Sequence, residues 1–258
     1  MGGVLVKVLS LNINNFGGRD SYKPLLKDYN NSLEFRKAVI SWRDSSNHYK
    51  NASCVLNLIR EKNPDIVFLQ EFDVTSDTSS KFIKSMRILG YIEKYPDNNA
   101  TDSIKGTKSI TIMFTKLRNI VVRSNKDLVA ESLKWVNLEV GDTLISGVHF
   151  NYDMEYWDAL EKFYLSNKDR KLLVIGDLNV HIKGTDRREG LDRVLSLGLI
   201  DTWTYLGGSD KIATCYTGAR LDYALSSRKL VDNLSIEIDD SPIKNYFSDH
   251  NALIVEVH

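Results

Sequence analysis

Short apolar runs alternate with amphipathic stretches along the chain, and several of the runs end on a side chain that carries oxygen or nitrogen. The plainest run is Leu172, Leu173, Val174 and Ile175, whose lack of a polar face predicts a strand buried on both sides. Gly176 then frees the backbone to turn, and Asp177 and Asn179 follow. Two residues apart on an extended chain, their side chains point the same way, so a carboxylate and an amide converge at the rim of a sheet. That pairing suits a hard cation or a phosphate. A G-D-x-N stretch taken alone reads equally as an Asx-rich turn closing a strand, so the rest of the chain has to decide.

The pattern recurs. A β-rich run over 4–12 ends in Asn12, and DIVFLQE over 65–71 ends in Glu71. A strand over 143–150 closes as GVHFN, placing His149 and Asn151 at its end. Strands are also expected over 91–95, 110–114, 120–123, 133–140 and 252–257, the last preceded by Ser248, Asp249 and His250. In the strand 221–225, LDYAL, Asp222 stands between apolar residues, where a carboxylate is costly unless it is paired or hydrogen-bonded. Helical spacing predicts helices over 33–42, 51–61, 79–89, 153–167 and 191–197, the second stopped by Asn63-Pro64. The polar segment 16–51 carries Arg19, Lys23, Arg36, Arg43, His48 and Lys50. It is the place for substrate-specific contacts, although most of these charges read as solvated. A second polar tract covers 97–108, and the loop after Asn179 carries Lys183, Arg187 and Arg188. No repeat, low-complexity tract or linker interrupts the chain, so residues 1–258 are expected to form one domain.

Composition narrows the partners. At 258 residues and 42% hydrophobic content the chain can bury a large core. Lys plus Arg and Asp plus Glu number 34 each, which disfavours sequence-blind coating of nucleic acid by bulk charge and leaves room for a local basic groove. Cys54 and Cys215 lack zinc or C-x-x-C spacing and read as reduced residues. No secretory leader, lipidation signal or apolar run near the roughly 18 residues of a membrane span is evident. A cytoplasmic monomer without a membrane span is therefore the expectation.

Taken in order, Asn12 in LNIN, Glu71 in LQE, His149 in GVHFN, Asp177 and Asn179 in GDLN, Asp222 in LDYAL, and Asp249 and His250 in SDH resemble the endonuclease/exonuclease/phosphatase (DNase I-like) superfamily over nearly the whole chain. The resemblance implies an α/β fold: a four-layered sandwich of two face-to-face mixed sheets flanked by helices. It also implies metal-dependent attack of water on a phosphate ester at the sheet edge. Glu71 is then the chief ligand of Mg²⁺ (Mn²⁺ as the alternative), supported by Asn12 and Asp249, because Mg²⁺ keeps most of its waters and takes one or two carboxylates. Asp177 orients or deprotonates water, and Asn179 holds it. His250 donates to the phosphoryl oxygen with Asp222 as its partner. His149 protonates the leaving group or binds phosphate. Asn151, Lys183, Arg187 and Arg188 are the expected substrate contacts. After the first strand the chain reads NINNFGG, and Phe72-Asp73 follow Glu71. Both depart from the pattern usual in apurinic endonucleases, so abasic-site repair is not the first expectation. A nuclease acting on DNA or RNA leads, with a phosphomonoesterase or a lipid-headgroup or small-molecule phosphodiesterase as the alternative. A non-catalytic binding module would be expected to have lost Glu71, Asp177 or a histidine, and every position is filled.

Overall fold

The structure is a computed structural model, and it describes residues 5–20, 26–28, 31–43, 45–95, 109–123, 132–151, 153–180 and 186–258. Lys23, Lys183 and the tract 97–108 lie outside these, as do the side chains of Arg36 and Arg43.

Two six-stranded mixed sheets face one another. The first runs in the order β11 (Leu234–Asp239), β12 (Ala252–Val257), β1 (Val6–Asn12), β2 (Ile66–Phe72), β4 (Ile110–Thr115) and β3 (Ile92–Lys94). The second runs β5 (Val121–Arg123), β6 (Trp135–Val140), β7 (Thr143–His149), β8 (Lys171–Asp177), β10 (Asp222–Ser226) and β9 (Ile200–Asp201). Each sheet holds one parallel pair at its centre. β1 and β2 are joined through α1 (Ser32–Arg43) and α2 (Ser46–Lys62), and β7 and β8 through α4 (Glu155–Asn167). Parallel neighbours need such crossovers, which place helices on the outer faces. α3 (Asp77–Ile88) and α5 (Asp186–Ser196) complete those outer layers.

Successive residues of the central strands feed different layers. Val8, Phe68, Leu173 and Ile175 pack between the sheets. Leu9, Val67 and Leu69 face α2 and α3, against Val55, Ile59 and Phe82. Leu172 and Val174 face α4 and α5, against Trp157, Leu160 and Leu191. This is why the apolar runs carry no polar face: each position is buried on one side or the other, at roughly 1.5–3 kcal/mol per large aliphatic side chain. The expected four-layered sandwich is the observed one.

The elements differ from expectation where burial is partial. α2 begins at Ser46 rather than 51, and α5 at Asp186 rather than 191, because polar first turns carry no apolar stripe. β11 was not foreseen; it is an edge strand with only Leu234 buried, so its alternation is weak. Both cysteines are free, as expected. Among the described residues no helix is long and apolar enough to cross a membrane.

The two sheets pack tightly at Gly147 in β7, where an added Cβ would lie 2.0 Å from Cδ1 of Phe68 in β2. Gly147→Ala is therefore expected to destabilise the fold by about 1–3 kcal/mol through overpacking, measured by chemical denaturation. An unchanged unfolding midpoint would show that the sheets can part here at no cost.

Candidate active site

The two parallel pairs end at the same rim of the sandwich. In register, Asn12 of β1 lies opposite Gln70 of β2, and His149 of β7 opposite Asp177 of β8. The strand ends are shaped to deliver their side chains. β2 shifts register against β4 between Leu69 and Phe72, and Glu71, inside the shift, adopts φ 53°. A bulge of this kind re-aims a side chain, and the left-handed conformation of a non-glycine residue costs about 1 kcal/mol or more. In β8, Gly176 has φ 149°, and a Cβ there would fall 1.9 Å from the carbonyl oxygen of Val148, so only glycine lets the two strands close. Asn179 takes φ 52°, a conformation asparagine tolerates.

One carboxylate oxygen is the meeting point. Oδ2 of Asp177 accepts Nδ2 of Asn12 at 3.0 Å, and it lies 3.7 Å from Nε2 of His149 and 3.9 Å from Nε2 of His250. Its other oxygen accepts the backbone N–H of Asn179 at 2.9 Å, which fixes the carboxylate plane. Nδ2 of Asn12 also reaches Oε1 of Glu71 at 3.3 Å, while Oδ1 of Asn12 accepts the Asn14 amide at 3.0 Å. Asn12, expected as a supporting metal ligand, stands between the carboxylates of the two sheets: its nitrogen bridges Glu71 and Asp177, and its oxygen, which accepts the Asn14 amide, retains a second lone pair. Asn179 donates to the carbonyl of Phe150 at 2.8 Å.

His250 and Asp222 form the expected pair, Nδ1 to Oδ2 at 2.8 Å. The backbone holds both. Ser248 Oγ donates to the carbonyl of Asn12 at 2.6 Å and accepts the His250 amide at 3.1 Å, and Thr214 Oγ1 accepts the Leu221 and Asp222 amides at 2.9 and 3.0 Å. A bridge between Cys215 and His250, with the Tyr216 amide on the carbonyl of Asp249 at 2.9 Å, ties the loop before β10 to the segment that leads into β12.

Burial sets the protonation pattern. It works against a charged His250, but the charges of Asp222 and Asp177 and the bond to Asp222 outweigh it and hold the imidazole well above its ordinary value. At His149 burial prevails over Asp177 and Glu71, pushing the ring below its ordinary value. The same burial, with Asp222, lifts Asp177 despite the two histidines and Asn12. Asp249 is pushed up to about 6 by burial and by the charges of Glu71 and Asp177, against the pull of His250.

The cleft measures about 530 Å³ and takes in Glu71, His149, Asn151, Asp177, Asn179, Asp249 and His250. It also takes in Lys134, Thr217 and Cys215, which sequence reasoning missed. Lys134 ends a 3-10 turn before β6 and bonds Oδ1 of Asn151, so its position follows from strand pairing and carries no local signal. Asn12 and Asp222 stand behind the cleft wall. Arg187 donates to the carbonyl of Asn179 at 2.7 Å. Arg188 pairs with Asp192 at 3.0 Å and lines a separate hollow beside Asp201 and Tyr223. Another hollow, of about 440 Å³, lies at the opposite strand ends near Val6, Thr143, Lys171 and Val257 and holds no convergent carboxylates.

Glu71 and Asp249 offer hard oxygen donors suited to a divalent cation. Oδ1 of Asp249 is buried without a hydrogen-bond partner among the described residues, and burial first, then the charges of Glu71 and Asp177, raise the Asp249 carboxyl. A cation between them would relieve both. The tightest acidic and histidine group, Asp177, Asp222 and His250, is less suited, since Nδ1 of His250 is already bonded to Asp222.

A family model described as the Endonuclease/Exonuclease/phosphatase family matches residues 9–250. No curated protein matches the sequence. Among solved structures, the chain resembles a Neisseria 3' phosphatase bound to product DNA hairpin at 17% identity and TM-score 0.65, covering 98% of this chain and 99% of that one. An AP endonuclease from Archaeoglobus fulgidus matches at 15% identity and TM-score 0.65, covering 97% and 98%. A truncated TDP2 from Caenorhabditis elegans matches at 18% identity and TM-score 0.60, covering 99% and 98%. At these identities the structures establish a shared fold.

The His250–Asp222 pair gives a pH signature in metal-free protein. Because the folded-state value of His250 is raised, the pair contributes its full stability below the ordinary histidine value of 6.5 and loses it as pH climbs through the raised value. Asp222→Asn should lower the His250 titration by about one unit or more, read from imidazole NMR shifts. An unmoved titration would mean that the pair does not form in solution.

Proposed function

The chain belongs to the Endonuclease/Exonuclease/phosphatase family and is a hydrolase of phosphate ester bonds, and from that premise we propose a Mg²⁺-dependent phosphodiesterase that acts as a nuclease. The observation that carries the reading is the convergence on Oδ2 of Asp177 of an amide from one sheet and a histidine from the other, with His250 beside them. A buried carboxylate raised above its ordinary value by that burial and facing an open cleft is suited to take a proton from water. Asn179, through its amide on Oδ1, keeps the other oxygen turned to the cleft. His250, held protonated, donates from Nε2 to a phosphoryl oxygen as charge grows there, and Asp222 fixes the ring. His149 is kept neutral, so it serves better as a hydrogen-bond donor to phosphate than as an acid for the leaving group.

Glu71 and Asp249 would hold the metal, and Asn12 keeps Glu71 and Asp177 together. When bound, the cation neutralises charge on the phosphate and lowers the pKa of a bound water. The nuclease reading rests on the fold shared with a 3' phosphatase solved on a DNA hairpin and with an AP endonuclease. A small phosphate ester is the second reading, favoured by the balanced net charge and by the absence of Arg188 from the lining of the cleft.

Glu71→Gln should leave unfolding unchanged, weaken Mg²⁺ binding in calorimetry by about 100-fold, and lower kcat on DNA or RNA by at least a similar factor. Equal metal affinity and turnover in that variant would remove Glu71 from the site.

A further inference from the structure

The end of the sandwich away from the candidate active site is not closed. β1 and β8 begin there and β12 ends there, so the register pairs Val6–Val257 of one sheet and Thr143–Lys171 of the other border the same hollow of about 440 Å³. Val6, Ile145, Leu230 and Val257 in its walls belong to the layer between the sheets and are at most 7% exposed. Leu117 and Val140 pack on that layer from its edge. The hollow is therefore a slot where the inter-sheet core stops short, bounded by aliphatic side chains of both sheets. No Phe, Tyr or Trp lines it among the described residues, so a flat ring finds nothing to stack on. A flexible hydrocarbon chain, by contrast, would continue the packing of the two sheets. Its size falls in the range of about 300–1,000 Å³ usual for small-molecule sites.

Charge marks the mouth. Side chains alternate along β8, so Lys171 stands on the same side as Leu173 and Ile175, in the layer between the sheets. An amine is tolerated at such a position when its stem lies along apolar surface and its head reaches water. Here the ammonium meets Asp142 at 3.0 Å, in the two-residue turn that joins β6 to β7. Arg118, exposed in the loop after β4, adds a guanidinium with no ion pair or hydrogen bond among the described residues. Counting side chains, two cations against one carboxylate leave one positive charge in excess. An aliphatic slot with a cationic mouth is complementary to a molecule with one hydrocarbon tail and one anionic head.

We propose that this hollow binds a free medium-chain fatty acid, its tail between the sheets and its carboxylate on Arg118 and Lys171. The site shares no lining residue with the cleft and does not depend on which phosphate ester is hydrolysed.

The test is a titration of the unaltered protein with carboxyl-labelled decanoate below its micellar concentration, followed by calorimetry and by the carboxyl NMR signal, with decanol as the uncharged control. One decanoate per chain should bind and raise Tm, as any ligand of the folded state does. Decanol should bind at least about fivefold more weakly, because it lacks the charge that the mouth recognises. Replacing Arg118 and Lys171 together with Ala should weaken decanoate about five- to tenfold and leave decanol unchanged. Leu117→Trp should fill the slot and abolish binding of both, with phosphate-ester hydrolysis unaltered. If that variant folds poorly, Arg118→Glu, at an exposed position, should still weaken decanoate and spare decanol. No saturable decanoate binding would overturn the site. So would a decanoate affinity that is unchanged in the double Ala variant, or binding that survives in a folded Leu117→Trp protein. Association with phosphatidylglycerol vesicles in place of decanoate would give this face to a membrane and overturn the proposal as well.

Discussion

The site depends on one buried carboxylate oxygen. Oδ2 of Asp177 is reached by Asn12 from one sheet, by His149 from its own, and by His250 from the loop before β12. Removing a carboxylate from water costs several kcal/mol unless donors surround it. Here the donors come from different layers, so the charge is accommodated only when both sheets are docked in register. The sheet interface at Gly147 and Phe68 and the glycine at 176 are the steric conditions for that docking. The interface that makes the fold therefore also brings together the residues proposed as the acid–base centre.

Much of this was legible in the sequence because strands buried on both faces announce themselves as unbroken apolar runs, and the residue that ends such a run is placed by the strand. β12 over 252–257 was read to the residue, Asn12, His149 and Asp177 end their strands as read, and Glu71 falls one residue short of the end of β2. Asp222 was legible for a different reason. A carboxylate among apolar neighbours demands a partner, and the structure supplies His250 at 2.8 Å. What stayed hidden was decided by tertiary pairing. The bulge that turns Glu71 inward needs β4 as the opposing strand. Lys134, Thr217 and Cys215 reach the cleft through turns pinned to other strands, and the direction of the Asn12 amide is set by a backbone N–H two residues on. Arg188, an expected substrate contact, is seen paired with Asp192 one turn along its own helix, a pairing set by helix spacing.

Strand ends place the groups proposed to act on phosphate, while the segments that carry Lys134, Asn151 and Thr217 complete the cleft around them. The backbone is unusual at this rim: Asn14, Asn15, Phe16, Glu71, Asn179 and Tyr246 all have positive φ. Such conformations persist only where the surroundings over-determine them. They show how much local strain the fold carries to bring its two halves to one point.

The central claim is that Asp177, held between the sheets, takes the proton from the attacking water. The most direct measurement is kcat for phosphodiester hydrolysis by Asp177→Asn at saturating Mg²⁺, with unfolding and metal binding followed in parallel. The account predicts a fall of about 10³-fold or more, in the range of a lost general base, while the protein stays folded and metal-competent. A folded, metal-binding Asp177→Asn enzyme that turns over within about tenfold of the unaltered protein would contradict it, because a side chain removed from proton transfer should cost at least about 10²-fold.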